Sequence, residues 1–402
     1  MTGDSLTSER ASRLLAVAES LVRVALDTPD ATLDAPALLR DRTRSVVARV
    51  RVVGVPGVSS LIVKAAAAGD ATFYDEWASL AFLTALPGAG GVAPRFVAGS
   101  AAERLLVLED LGGSRSLDDV LREPRRTPVL HALAALGRTT ARLHAATSGS
   151  GVSAHERRFD ALRAALPGGR AHDRVAAAAS WVAETETTLD GWRDALGVAA
   201  PQGAEVALGA VAAAYRDPGP WLAFTHGDPA PSNNHVAPND DDGTVRLLDF
   251  EYGGFRHALY DPTAWAVLCP LPADALAALR DAYRAALAMH APSLASGDAF
   301  DAAWAAMACW RAVAMLGWLR ATTVAANAPW VDGWTRREAA IAACERMADA
   351  VALGGDPNLA ALGTLGAALA AAMRARWPEY GPASDGSVLP KWTALAAPDR
   401  PH

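Results

Sequence analysis

The sequence predicts an α+β protein in which a small antiparallel sheet near the N-terminus precedes a large, mostly helical remainder. The run SVVARVRV at 45–52, the turn Gly54-Val55-Pro56-Gly57 and the apolar strand LIVK at 61–64 read as a hairpin. From residue 127 onward Ala-rich segments with helical apolar spacing dominate, broken by Gly and Pro. A chain of 402 residues is also long for one domain, and fits two lobes or one domain with a large helical extension.

The elements follow in order. Residues 5–28 read as an amphipathic helix ahead of the hairpin. Over 73–86 a further helix places Phe73, Trp77 and Leu80 on one face, with Glu76 on its flank and Asp75 beside it. The stretch RLLVLEDLGG at 104–113 reads as a buried strand running into a glycine-containing bend, and 127–147 as a long helix with Pro128 near its start. Segments 155–166, 172–195 and 201–215 are Ala-rich and read as a helical insert. An acidic turn at 239–243 leads into a buried strand at 245–248, and this strand-turn-strand hairpin is expected to bring Asp228 and Asp249 close. Helices over 272–289, 298–326, 334–353 and 358–376 complete the pattern, and the last twenty residues read as a tail or loosely docked strap.

Composition narrows the function. At 51% hydrophobic residues the chain has ample core material, and its net charge of −7 argues against nucleic acid or an anionic membrane as partner. The opening MTGDSLTSER has no basic segment before an apolar run, and the apolar stretch Ala302 to Leu319 contains Arg311; both fit a cytoplasmic protein with packed helices. Three cysteines, Cys269, Cys309 and Cys344, show no CxxC spacing and are expected to be reduced. Of the 37 Lys and Arg only Lys64 and Lys391 are Lys, so a lysine on the strand LIVK calls for a chemical reason that arginine would not meet.

That reason is suggested by FTHGDPAPSNN at 224–234 and LLDFE at 247–251. Phosphoryl transfer asks a protein for a group that orients the attacking hydroxyl, hard oxygen ligands for Mg²⁺, and cations on the phosphates. In His226-Gly227-Asp228-x4-Asn233 the aspartate faces the acceptor hydroxyl, while the amide oxygen of Asn233 and the carboxylate of Asp249 hold metal.

The HGDxxxxN loop followed by DxE resembles the aminoglycoside phosphotransferase and small-molecule kinase superfamily, whose protein-kinase relatives carry HRDxxxxN and DFG. Gly227 and Glu251 stand where protein kinases have Arg and Gly, which points to a small hydroxyl acceptor. The resemblance implies a bilobal protein-kinase-like fold, with the N-terminal helix, nucleotide-binding lobe and hinge in 1–111 and a helical lobe with the catalytic loop in 112–402. It implies Asp228 as catalytic base, Asn233 and Asp249 as magnesium ligands, and Glu251 as a further metal or supporting carboxylate. Lys64 would meet the α- and β-phosphates, held there by Glu76, with Asp75 the competing partner. At the hinge, Glu109 would offer its carbonyl and Leu111 its N–H to adenine, with Leu108 behind the purine; the side chains of Glu109 and Asp110 need not matter. The phosphate-covering segment falls at Arg40 to Ser45, which has no glycine; Arg44 and Ser45 are candidates for phosphate contact. Asp261 would brace the catalytic-loop backbone, and His144 reads as a hydrogen-bonded structural residue. Trp304, Arg311, Met315 and Trp318 share a helix face, as an aromatic wall for a sugar-like or cationic acceptor or as core packing.

The function so implied is transfer of the γ-phosphate of ATP, with Mg²⁺, to a hydroxyl of a small molecule: an aminoglycoside or other antibiotic, an amino sugar or a sugar. A homoserine-, choline- or fructosamine-type metabolite kinase shares the same apparatus, and a nucleotide-binding pseudokinase acting as a regulator is the non-enzymatic alternative. The sequence carries no signal for oligomeric state.

Overall fold

The computed structural model describes residues 8–123, 125–168, 173–237, 244–269, 271–330 and 335–380. The acidic turn expected at 239–243 and the strap expected over the last twenty residues lie outside them. In chain order the elements are α1 (Ser8–Ala25), β1 (Thr32–Arg42), β2 (Ser45–Val53), β3 (Ser60–Ala66), α2 (Phe73–Thr84), β4 (Phe96–Ser100), β5 (Leu105–Glu109), β6 (Arg115–Ser116), α3 (Leu117–Leu121) and α4 (Arg126–Thr147). They continue with α5 (Val152–Ala164), α6 (Arg174–Leu196), α7 (Ala204–Arg216), β7 (Leu222–Thr225), β8 (Asn234–Val236), β9 (Val245–Leu247) and β10 (Gly254–His257). Last come α8 (Ala264–Val267), α9 (Ala273–Ala288), α10 (Gly297–Leu319), α11 (Ala321–Val324), α12 (Arg336–Gly354) and α13 (Ala360–Arg376). The architecture is α+β, as the sequence pattern predicts. The chain gathers into two compact units, one taking residues up to Ser114 with 153–171 and 246–254, the other 115–152, 172–245 and the remainder from Phe255.

The first unit is built on a five-stranded sheet of order β1-β2-β3-β5-β4, with each neighbouring pair antiparallel. Side chains alternate across a strand, so one face must be apolar and covered. Leu14, Ala18 and Val22, one turn apart on α1, lie against Val50, Val52, Leu61, Val63, Ala65, Leu105 and Val107. This fixes the other face. Ile62 and Lys64 on β3 alternate with the covered residues, and the register pairs Lys64 with Leu106 and Ile62 with Leu108. The lysine and two leucines of the neighbouring strand therefore share the side of the sheet opposite α1.

Helix α2 seats Trp77 beside Phe96 and against Gly99, where an added Cβ would fall 2.7 Å from the indole. Helix α5 packs on α2 through Phe82 and Phe159, ring centroids 5.6 Å apart, and through an ion pair of Arg163 with Asp75. The expected insert at 155–166 thus belongs to the first unit and not with α6 and α7. An Ala-rich amphipathic pattern specifies that a helix has a buried face; it does not specify which neighbour buries it.

In the second unit α4 and α9 approach closely at Gly137, where a Cβ would meet the Leu279 carbonyl oxygen at 2.3 Å. Helix α10 runs through the core with Trp304, Cys309, Arg311 and Met315 buried, and it ends at Arg320, which has a positive φ of 39°. The predicted continuous helix over 298–326 is therefore broken into α10 and α11. Trp304 stacks on Phe300 inside the core, whereas Trp318 is exposed, so the aromatic wall resolves into core packing at one end and a surface ring at the other. Among the described residues, α10 and the stretch 357–376 are long and apolar enough to cross a membrane by length and composition; the apolar window of α10 is 72% buried within the protein. Cys269, Cys309 and Cys344 are free thiols.

Candidate functional site

The first unit supplies a buried ammonium between two carboxylates. Lys64 Nζ lies 2.6 Å from Glu76 and 2.7 Å from Asp249 Oδ1. The pairing follows from the fold: β3 places Lys64 on the face away from α1, and α2 carries Glu76 one turn from its N-terminus, just 4% exposed. Burial alone would make both partners shed their charge; the ammonium is instead held protonated by the two carboxylates, with its pKa raised above the ordinary lysine value. Burial pushes the Glu76 carboxyl up, and Lys64 pulls against it. Asp75, the competing partner, is taken by Arg163.

Asp249 sits at φ 64°, in the left-handed region that aspartate tolerates better than most non-glycine residues. Such a conformation costs free energy that the surroundings must offset, and it is found where a side chain has to be aimed. Two residues on, Glu251 accepts from Thr72 Oγ1 at 2.5 Å and pairs with Arg44, which also meets Thr72 Oγ1 at 2.9 Å and Asp70 at 3.4 Å. Arg44 projects from the two-residue turn joining β1 to β2.

At the predicted hinge Leu108 is buried on β5, and Leu111 lies in the following bend. The carboxylates there do matter. Glu109 accepts from the Arg95 amide at 2.9 Å and from Arg246 at 2.7 Å, and Asp110 holds Arg49 at 2.6 Å, Ser60 at 2.6 Å and the Gly112 amide at 2.9 Å. They fasten the bend by its side chains while leaving the predicted roles to its backbone.

The second unit supplies the HGDxxxxN loop. The buried strand β7 delivers His226, Gly227 and Asp228, and Gly227 adopts φ 88°, a conformation that an arginine at this position would strain. Asp261 accepts hydrogen bonds from the amides of His226 at 2.6 Å and Gly227 at 2.9 Å, and its Oδ2 lies 3.3 Å from His144 Nε2. Burial would raise its pKa, but the hydrogen bond and electrostatic pull of His144, with His226 and the Gly227 amide, bring it down to about 2. His144 in turn lies 2.9 Å from the Tyr283 hydroxyl. Asp261 thus holds the loop amides, and His144 is the hydrogen-bonded residue that the sequence suggests.

Further along the loop, Asn233 Nδ2 donates to the Asp228 carbonyl at 3.1 Å, and Asn234 Nδ2 donates to the carbonyls of Pro229 at 3.2 Å and Ala230 at 2.6 Å. The two amides close the loop on itself and fix the direction of Asp228. Arg311 adds a third support: its guanidinium lies 3.5 Å over the Tyr260 ring and donates to the carbonyls of Tyr260 at 2.9 Å and Gly227 at 3.4 Å. Sequence reasoning left Arg311 between an acceptor wall and core packing, and did not single out Asn234. The signal for Arg311 was the one charge in the apolar stretch Ala302 to Leu319, which a buried role requires to be hydrogen-bonded. Burial and the charges of Asp228 and Asp118 push the Cys269 thiol up to about 12, so it is no nucleophile at neutral pH.

The donor chemistry fits Mg²⁺. The expected ligands Asn233, Asp249 and Glu251 each carry a hard oxygen donor. Among the described residues no three His, Cys, Asp or Glu side chains form a ready metal cage.

A braced HGDxxxxN loop, a DxE segment and a lysine ion-paired from a helix are the features that the resemblance leads one to expect of a phosphotransferase. The chain belongs to the phosphotransferase enzyme family (APH), which it matches over residues 46–310. Among solved structures it is similar to a choline/ethanolamine kinase family protein from Mesorhizobium loti, at 19% identity and a TM-score of 0.47 over 84% of this chain and 93% of that one. It is also similar to the macrolide 2'-phosphotransferase MphH from Brachybacterium faecium, at 16% identity and a TM-score of 0.43 over 81% and 97% of the two chains. An aminoglycoside phosphotransferase from Alicyclobacillus acidocaldarius matches at 13% identity and a TM-score of 0.44 over 84% and 92%. No curated protein matches the chain.

Proposed function

We propose that this chain transfers the γ-phosphate of ATP to a hydroxyl of a small molecule. The observation that carries the reading is the Lys64 ammonium held at 2.6 Å from Glu76 and 2.7 Å from Asp249. In a chain that otherwise uses arginine, a buried lysine with that pairing suits a compact charge aimed at phosphate oxygens. Lys64 binds the α- and β-phosphates, Glu76 keeps it there, and the Leu108 side chain with the backbone of Glu109 and Leu111 receives the adenine. Asn233 and Asp249 are assigned to magnesium, with Glu251 as a supporting carboxylate. When bound, Mg²⁺ would neutralise charge building on the phosphate oxygens. Asp228 orients the acceptor hydroxyl and accepts its proton as the oxygen attacks phosphorus. Alignment and charge compensation lower the barrier by on the order of 10 kcal/mol without a covalent enzyme intermediate.

The acceptor belongs to the hydroxylated small molecules, with aminoglycosides or other antibiotics, amino sugars and sugars as the leading class and choline-, homoserine- or fructosamine-type metabolites as the second. One observation favours a non-catalytic nucleotide-binding role: the turn between β1 and β2 has two residues and no glycine. ADP release from Mg·ATP across a panel of amino sugars, sugars, amino alcohols and antibiotics separates these readings. Acceptor-dependent ADP release is the expected result; nucleotide binding with no turnover on any acceptor supports the regulator.

Lys64→Arg keeps the charge and changes its shape. The planar guanidinium does not fit between Glu76 and Asp249, so kcat/KM for ATP should fall by at least about tenfold. Equal steady-state kinetics for the variant would reduce Lys64 to a structural cation.

A further inference from the structure

We propose that Arg44 is a phosphate ligand of the nucleotide, released from its carboxylate partners by exchange when a metal–polyphosphate binds. This deepens the phosphotransferase reading and rests on it.

Two cations and four carboxylates form neighbouring clusters in the first unit. Lys64 is held by Glu76 and Asp249, and Arg44 by Glu251 and Asp70 with Thr72 bridging. The clusters are joined by a single turn of chain, since Asp249 and Glu251 are two residues apart. They also share one end of the sheet: Lys64 pairs with Val47 on β2, and Arg44 immediately precedes the first residue of that strand. A metal-bound polyphosphate is a complementary object to this arrangement, because it offers a cation to the carboxylates and anionic oxygens to the ammonium and guanidinium. The Lys64–Asp249 and Arg44–Glu251 pairs can then be exchanged in one step for carboxylate–metal and cation–phosphate pairs.

The β1–β2 connection is Thr43 and Arg44 alone, with Arg42 paired to Ser45, so it has no run of free backbone amides to cradle an anion. A long side chain must reach instead. Arg44 is suited to that: its side chain is 54% exposed while Glu251 is 15% exposed, so the guanidinium can swing to a ligand without dismantling the core, and its fork matches phosphate oxygens bidentately.

The test is calorimetric affinity for Mg·ATP, Mg·ADP and AMP, measured on the wild-type chain, Arg44→Gln and Asp70→Asn. Asp70→Asn loosens the clasp and keeps the guanidinium. The expected result is a loss of at least about tenfold for ATP in Arg44→Gln, a smaller loss for ADP and none for AMP, with ATP affinity retained in Asp70→Asn. Equal affinities for all three nucleotides in Arg44→Gln and wild type would overturn the proposal. So would an equal loss for all three accompanied by a lower unfolding midpoint, which marks Arg44 as a structural clasp. Failure of the wild-type chain to bind Mg·ATP at all would overturn the phosphotransferase reading itself, and this inference with it.

Discussion

Replacing Asp228 by Ala is expected to lower acceptor-dependent phosphoryl transfer by about a thousandfold, within the range that a positioned base contributes. Nucleotide affinity should change less than about threefold, because the loop backbone is held at several points by other side chains. Its backbone is held by Asp261 at the amides of His226 and Gly227, by Arg311 at the Gly227 carbonyl, and by Asn233 at the carbonyl of Asp228 itself. Truncation at Cβ therefore removes the proton acceptor and leaves the frame. The check is a paired measurement of kcat, by coupled ADP release, and of Mg·ATP affinity by calorimetry. A variant that turns over at the wild-type rate would show that Asp228 does not act on the acceptor.

The second large effect falls on stability. Asp261→Ala leaves two backbone N–H groups and one histidine nitrogen without their acceptor in a buried site, and should cost about 3–5 kcal/mol as well as activity. Urea unfolding at neutral pH measures the first and ADP release the second. The pH dependence adds a sharper signature. The Asp261 pKa is about 2 in the folded protein and about 4 in an unfolded chain. The unfolded state thus takes up a proton first, and the stabilisation, about 2 kcal/mol, is complete above pH 4 and lost as pH falls through about 2. His257 acts in the same direction over a higher window. Burial, with a contribution from His144, lowers its pKa to about 3 against an ordinary value of 6.5, so stability declines as pH drops from 6.5 toward 3. The wild-type stability curve should slope below pH 6.5 and steepen below pH 4, and Asp261→Ala should lack the lower step. A variant with an unchanged unfolding midpoint and an unchanged acid limb would show that the brace contributes nothing.

The helices and the hairpin were legible because each rests on local rules. The alternation in 45–52 and 61–64 and the apolar period of α2 and α4 follow from strand and helix geometry alone. The candidate site residues stand out where a short segment carries several of them, as in His226 to Asn233 and Asp249 to Glu251. Lys64 with Glu76 was legible because a rare lysine and a helix glutamate stood in the right order. What could not be read were contacts that depend on long-range packing. The burial of Arg311 over Tyr260, the seating of α5 on α2 through Phe159, and the clasp of Arg44 on Glu251 join residues 51, 77 and 207 positions apart, and no local pattern encodes such partners. The break at Arg320 was equally hidden, since arginine is an ordinary helix former and its positive φ is imposed from outside the segment.

One measurement bears most directly on the claim that this chain is a magnesium-nucleotide phosphotransferase with Asp249 at the metal. It is the calorimetric titration of ATP into the wild-type chain with and without Mg²⁺, and into Asp249→Ala with Mg²⁺. The account predicts saturable heat for the wild type with Mg²⁺, and affinity at least about tenfold weaker both without the ion and in the variant. No heat from the wild type with Mg·ATP, or the same affinity in all three titrations, would contradict it.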